Sequence, residues 1–282
     1  MHWPADHPLH ADDLLARWRG AADRLCGDGV VLRVLKHVPG RRVATLVSTP
    51  DGLAVLKVFS SPRARGNDRR LRALGPAVGD LLPRARQVDP LGHVGLLSYL
   101  PGRPLDGLSG PPFIAACGQA GAALARLHGC GVVLDRQWTA ADELAQLRSM
   151  ATPTTDAAIS RAVRSLLPQP DVPLGPAHRD LHLAQVVVQP AGVAFIDLDE
   201  ATMAPPGLDV GNLLGHLRQE AALGRRPARE VADAATAFLT SYGGAPPDTD
   251  CWQQLTLARL AALADARFDR PDWTAALLLV LA

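Results

Sequence analysis

The chain predicts an α+β protein of two lobes, a small antiparallel sheet in the first hundred residues and a larger, mostly helical remainder. Three observations carry this expectation. Runs of aliphatic and β-branched residues, broken by Gly, Pro and Asp, fill 30–59 and 94–100. Pro and Gly crowd 101–112, as a connection between lobes does. From Phe113 onward, helical spacing dominates. We therefore expect one lobe over 1–100 and a second over 101–282. A length of 282 residues, 48% of them hydrophobic, is enough to bury a large core.

In chain order, Leu14, Leu15, Trp18 and Leu25 share one side of a helix expected over 11–25. After Gly27–Asp28–Gly29 the pattern turns to strands. Val30–Leu35 and Val43–Val47 flank the turn Pro39–Gly40–Arg41–Arg42, and Asp51–Gly52 leads into Leu53–Phe59. A helix follows at about 65–74, rich in arginine (Arg63, Arg65, Arg69, Arg70, Arg72), which reads as a solvated face. Its one acid is Asp68. Val94–Leu100 is the next strand, and Phe113–His128 the first helix of the larger part. Further helices are expected over 140–149 and 156–167, then over 209–222, 227–242 and 251–266. Trp252 and Trp273 are candidate pocket walls, although an aromatic at helical spacing is more often core.

Charge and cysteine usage exclude several classes. Residues 1–100 carry 15 basic and 9 acidic groups, whereas 191–282 carry 7 and 12. A basic first part suits phosphates, and an acidic last third attracts a cationic small molecule. No basic groove interleaved with aromatics points to nucleic acid. The four cysteines form no C-x-x-C pair, so neither zinc nor a disulfide framework is expected. The first residues lack a basic, apolar leader, and Leu277–Ala282 is too short to span a bilayer, so we expect a cytoplasmic protein without membrane association.

The chemistry concentrates in His178–Arg179–Asp180–Leu181–His182–Leu183–Ala184–Gln185, followed by Phe195–Ile196–Asp197–Leu198–Asp199. The first run has the H-R-D-L-x-x-x-N spacing of a kinase catalytic loop, with Gln185 at the Asn position, and Asp197 stands where the second, metal-binding Asp follows. Phosphoryl transfer requires positioning and charge neutralisation more than covalent work. One carboxylate, Asp180, faces the attacking hydroxyl. A second carboxylate, Asp197, and an amide oxygen, Gln185, suit magnesium, a hard cation that prefers oxygen ligands. Strands at 184–189 and 192–196 around Pro190–Ala191–Gly192 bring the ligands together.

These residues resemble the aminoglycoside phosphotransferase and choline-kinase-like family, of protein-kinase-like fold. Its loop reads H-G-D-x-H-x-x-N and continues through I-D-W/F-x-x-A to G-D-P-x-x-D-L-A. Ile196–Ala201 and Pro206–Leu213 match those runs, with Arg179 in place of Gly and Gln185 in place of Asn. The resemblance implies an ATP- and Mg2+-dependent enzyme that phosphorylates a small-molecule hydroxyl. Aminoglycosides and other antibiotics, choline and sugars are among the family's substrates, so antibiotic resistance enters as a role. It makes 1–100 a nucleotide-binding lobe and 101–282 a catalytic and substrate-binding lobe. Asp209 becomes a structural brace of the loop and His128 a structural residue at the end of an L-A-x-L-H helix. Leu53–Phe59 resembles the V-A-I-K strand, making Lys57 the phosphate-contacting lysine; the chain holds one other lysine, Lys36. Gly40 would approach the phosphates, and backbone groups at Ser98, Tyr99 and Leu100 would meet adenine. Asp68 stands near the place of the acid that pairs with Lys57, where no Glu exists. That absence, with Gln185, also motivates an alternative: a non-catalytic nucleotide-binding protein of the same fold. A protein kinase fits poorly, because eleven residues between Asp197 and Asp209 leave no room for a long activation segment. ATP versus GTP and the oligomeric state stay open.

Overall fold

A computed structural model describes residues 13–164 and 172–281. The expected helix ends at 11–12 and 165–167 lie outside the described residues. The chain divides into two compact units: residues up to Pro101 with Phe195–Asp199, and Gly102–Ala194 with Glu200–Ala282.

In the first unit, helix α1 (Asp13–Cys26) is followed by strands β1 (Val30–Val38), β2 (Arg42–Thr49) and β3 (Gly52–Phe59), helix α2 (Arg63–Val78), and strands β4 (Ala85–Val88) and β5 (Val94–Ser98). The strands form one antiparallel sheet in the order β1-β2-β3-β5-β4. Alternation produces the sheet's inner face: Val43, Thr45 and Val47 of β2 are buried, two residues apart. With Ala54, Leu56, Val94 and Leu96, Val43 and Val47 pack beneath Leu14, Trp18, Ala22 and Cys26 of α1. Removing that apolar area from water is the main favourable term holding the unit together.

Helix α2 runs beyond the sequence expectation, through Pro76 to Val78, because Asn67, Leu71, Leu74 and Val78 continue one buried stripe. Strand β4 carried no signal. Its four residues, Ala-Arg-Gln-Val, lie at a sheet edge and none is fully buried.

The second unit begins with β6 (Arg103–Pro104), α3 (Gly110–His128), α4 (Ala140–Met150), α5 (Asp156–Arg164) and β7 (Gly175–Ala177). A 3-10 turn at Leu183–Gln185 leads into β8 (Val186–Gln189), which is followed by β9 (Gly192–Phe195). Strand β10 (Thr202–Ala204) and helices α6 (Gly207–Ala222), α7 (Ala228–Tyr242), α8 (Thr249–Ala266) and α9 (Pro271–Leu281) complete it. Strand β8 starts two residues later than its composition suggests, because Ala184 and Gln185 belong to the 3-10 turn.

Two helix pairs approach closely where glycine removes a side chain. A Cβ on Gly121 of α3 would lie 2.1 Å from the Phe238 carbonyl of α7, and one on Gly211 of α6 would lie 2.6 Å from Trp252 Cβ of α8. Trp252 is therefore core, 2% exposed among Leu208, Leu255 and Leu147, with its indole N–H donated to Asp248. Of the two readings, core rather than pocket wall holds for Trp252, as is the more frequent case for an aromatic at helical spacing. Trp273 is covered by Arg225 and Arg270, whose guanidinium carbons stand 4.5 and 4.0 Å from its ring centre.

Candidate active site

Strand β3 places Lys57 opposite Ala44 of β2 and Gly95 of β5. Arg42 lies two residues from Ala44 along β2, so the pleat directs Arg42 and Lys57 to the same face of the sheet. Both cations meet the same acids. Lys57 Nζ donates to Asp197 Oδ1 at 2.7 Å and to Asp199 Oδ1 at 2.8 Å. Arg42 reaches Asp197 at 3.4 Å and Asp199 at 3.2 Å. Asp197 occupies the left-handed region, at φ +66°, which re-aims the chain directly after β9.

Electrostatics separate the two acids. Burial disfavours charge on both. At Asp197 the nearby Lys57 and Arg42 prevail and hold its carboxyl far below the ordinary carboxylate range. At Asp199, deeper burial and the neighbouring Asp197 prevail over Lys57 and push the carboxyl up. Lys57 itself keeps its proton more tightly than a free lysine: burial opposes the charge, but Asp199 and Asp197 outweigh it.

This arrangement corrects two sequence expectations. Asp68 is not the partner of Lys57; its carboxylate accepts from Arg72, one helical turn further along α2, at 2.9 Å. A short side chain on that helix pairs locally, and the acids that meet Lys57 are Asp197 and Asp199. Arg70 is not part of a solvated face. It is 5% exposed and donates to the Asp199 carbonyl at 2.6 Å. So α2 contributes a cation to the backbone of the acidic segment instead of an acid to the lysine. Asp199, Arg42 and Arg70 were missed as site residues. The available signals were the second acid in Ile196–Asp197–Leu198–Asp199 and the arginine just after the Gly40 turn.

Gly40 has φ +64° in that turn, a conformation costly for residues with a Cβ. Ser98 ends β5, donating its N–H to Arg84 O at 2.9 Å and accepting from Arg84 N at 2.8 Å through Oγ. Tyr99 and Leu100 follow it, half-buried.

In the second unit the geometry is built on Asp209. This fully buried carboxylate, at the start of α6, accepts the His178 N–H at 2.6 Å and the Arg179 N–H at 2.7 Å. His128 Nε2 lies 3.1 Å from the same carboxylate, and its Nδ1 lies 2.9 Å from the Tyr242 hydroxyl. Burial opposes the charge on Asp209, but the bonds from His128 and the His178 backbone hold its carboxyl below the usual range. The loop so pinned carries Arg179 at φ +72° and presents Asp180 exposed at the surface of the unit. Three non-glycine residues among those described have positive φ, and Arg179 and Asp197 of the two motifs are two of them. Such outliers concentrate at functional sites.

Gln185 is 3% exposed and donates from Nε2 to Asp180 Oδ2 at 3.4 Å. Its Oε1 is buried without a hydrogen-bond partner among the described residues, although a buried acceptor normally has one. An oxygen left free in this way, and an ionised carboxylate at Asp197, are donors of the hard type magnesium takes. Beside the loop, His216 of α6 packs against His182 with ring centres 5.2 Å apart. Burial, then His182 and Arg259, press its pKa down to about 3.

Known structures share this architecture. Choline kinase LicA from Streptococcus pneumoniae aligns over 95% of this chain and 98% of its own, at 12% identity and a TM-score of 0.70. Aminoglycoside phosphotransferase APH(4)-Ia aligns over 94% and 98%, at 14% identity and a TM-score of 0.68. An aminoglycoside phosphotransferase from Streptomyces rimosus, solved with ADP and streptomycin, aligns over 86% and 97%, at 18% identity and a TM-score of 0.59. No curated protein matches in sequence. The fold is thus the protein-kinase-like α+β fold, with a small antiparallel-sheet part and a larger, mostly helical part.

A sequence model of the phosphotransferase enzyme family matches residues 40–255, most of the chain. The chain belongs to that family, and it is a phosphotransferase. No helix among the described residues is long and apolar enough to cross a membrane.

Proposed function

We propose that the protein transfers the terminal phosphoryl group of ATP, with Mg2+, to a hydroxyl of a cationic small molecule, of the aminoglycoside-like antibiotic or amino-sugar type, in the cytoplasm. The observation that carries the reading is the buried Lys57–Asp197 pair, 2.7 Å long, joining the lysine of one motif to the acid of another. An isolated buried ion pair is a poor source of stability. At a nucleotide site it has a use: a lysine for phosphate oxygens and a carboxylate for the metal.

In this reading the first unit binds nucleotide and the second holds the acceptor and the catalytic loop. Lys57 anchors phosphates, Gly40 lets the β1–β2 turn approach them, and backbone groups at Ser98, Tyr99 and Leu100 meet the adenine. Asp197 and Gln185 are the residues that would each offer an oxygen to magnesium, and the ion would supply charge neutralisation at the phosphates. Asp180 accepts the hydrogen of the acceptor hydroxyl and aims its lone pair at the phosphorus. Asp209 keeps Asp180 in place by fixing the two peptide N–H groups before it. Asp199 takes over the role first assigned to Asp68: it orients Lys57. A helix without glutamate therefore no longer favours the non-catalytic alternative. The acidic balance of residues 191–282 favours an amino-bearing acceptor.

The test is magnesium-dependent ATP consumption across aminoglycosides, cyclic peptide antibiotics, amino sugars and choline, with Asp180→Ala and Asp197→Ala beside the wild type. Turnover with an amino-bearing acceptor, lost in both variants, is the expected result. Turnover that persists in Asp180→Ala, or needs no magnesium, would sink the mechanism; a neutral acceptor preferred over all cationic ones would sink the substrate class.

A further inference from the structure

Arg179 stands at a backbone position that suits glycine, and its side chain has an elaborate set of partners. The left-handed φ of +72° costs an arginine on the order of 1 kcal/mol or more relative to glycine. The guanidinium donates to Glu200 Oε2 at 2.6 Å and to Gln146 Oε1 of α4 at 2.9 Å. It also stacks on Trp138, its central carbon 3.3 Å from the ring centre. A planar, forked cation can make all three contacts at once, which a lysine cannot.

These contacts close a ring. The Trp138 indole donates to Glu143 Oε2 of α4 at 2.9 Å, and Arg259 of α8 donates to Glu143 Oε1 at 2.8 Å. Arg259 also donates to Asn212 Oδ1 of α6 at 2.8 Å, and Asn212 Nδ2 donates to the Arg179 carbonyl at 2.7 Å. Glu143 and Asn212 are each 2% exposed, so the ring is largely shielded from water. The helix at its far side starts at a fixed point, because Thr139 and Asp142 cap α4 reciprocally. The peptide that carries the strained φ is thereby gripped from both ends: its carbonyl by Asn212 and its side chain by α4 and Glu200. The next residue is Asp180.

We infer that Arg179 is a positioning residue that couples α4 to Asp180, so that the aim of the catalytic carboxylate depends on where α4 lies. The inference rests on Asp180 as the residue that faces the acceptor. Glycine at 179 would remove both the strain and the clamp, leaving the Asp209 brace intact, so a change in behaviour reports the clamp and not a misfolded loop.

The experiment compares wild type, Arg179→Gly, Arg179→Lys and Gln146→Ala by amide hydrogen exchange, with steady-state kinetics on whichever acceptor of that panel turns over. Arg179→Gly should lose about ten-fold or more protection in 140–150 and 178–185, with strand 52–59 unchanged. Its kcat should fall roughly ten- to hundred-fold, as expected for a slightly misplaced catalytic group, with the nucleotide KM unchanged within about two-fold. Arg179→Lys should not restore either readout, and Gln146→Ala should lower kcat with Arg179 present. Wild-type exchange at both segments in Arg179→Gly overturns the coupling, as does a loss of protection spread evenly over the chain. Should no acceptor turn over, the phosphotransfer reading is what has failed, and exchange still decides whether α4 and the loop are coupled.

Discussion

Replacing Lys57 by methionine should destabilise the protein in a way that acid reverses. The side chain is 11% exposed and holds two carboxylates, Asp197 at 2.7 Å and Asp199 at 2.8 Å. Methionine fills similar volume but leaves those acids facing each other with Arg42 as the cation near both. Breaking a buried pair in this way costs about 3–5 kcal/mol at neutral pH, because a charge stays buried without its partner. The pH dependence follows from the direction of the shifts. In the wild type the depressed Asp197 contributes stability above the unfolded carboxyl value and loses it only as pH falls below the ordinary carboxylate range. Without Lys57, burial and mutual repulsion raise both carboxyls above the unfolded value of about 3.9. A raised folded value means the folded state takes up protons first, so the variant gains relative stability as pH falls. Urea unfolding of both proteins at pH 7 and pH 5 measures this. The deficit should be about 3–5 kcal/mol at pH 7 and clearly smaller at pH 5. A deficit below about 1 kcal/mol, or one equal at both pH values, would refute the buried four-charge cluster.

Three other outcomes follow from the same geometry. Asp197→Asn should destabilise by about 2–3 kcal/mol at pH 7, and Asp199→Asn by about 1 kcal/mol or less, since burial already disfavours charge on Asp199; denaturation midpoints rank them. His216, held down to about 3 against an unfolded value of about 6.5, contributes stability above pH 6.5 that is lost as the solution is acidified through that window. His216→Gln should therefore gain about 1 kcal/mol on wild type between pH 6.5 and 5.5, read from paired melting curves, and parallel curves would count against the buried neutral imidazole. Gly121→Ala would drive a methyl to 2.1 Å from Phe238 O and push α7 from α3, costing about 1–3 kcal/mol or more and loosening the His128–Tyr242 bond; thermal unfolding and tyrosine fluorescence report it.

What the sequence determined by itself was the class of protein and the centre of its chemistry. The runs 178–185 and 195–199 carry their meaning in spacing along one loop and one turn, and the long helices and strands β1–β3 carry theirs in periods repeated over eight or more residues. Among the elements of two to four residues, β8 and β9 were legible as strands around Pro190–Ala191–Gly192, whereas β4, β6, β7 and β10 are too short to show a period: β4 and β6 pair with the longer β5 and β8, and β7 and β10 pair with each other. Pairing was decided by the tertiary structure alone. Lys57 and Asp199 are 142 positions apart, and no local pattern says that they meet, whereas the Asp68–Arg72 pair is an i,i+4 spacing the sequence itself contains. Arg70 looked like any surface arginine until the fold buried it on a carbonyl, and whether Trp252 was core or pocket wall was decided by the close approach of α6 at Gly211. An ion pair depends on distance and burial, and those exist only once distant segments have been brought together. Arg179 shows both sources at once: the sequence marks it as the departure from glycine, and only the packed helices around it explain how an arginine can stand there.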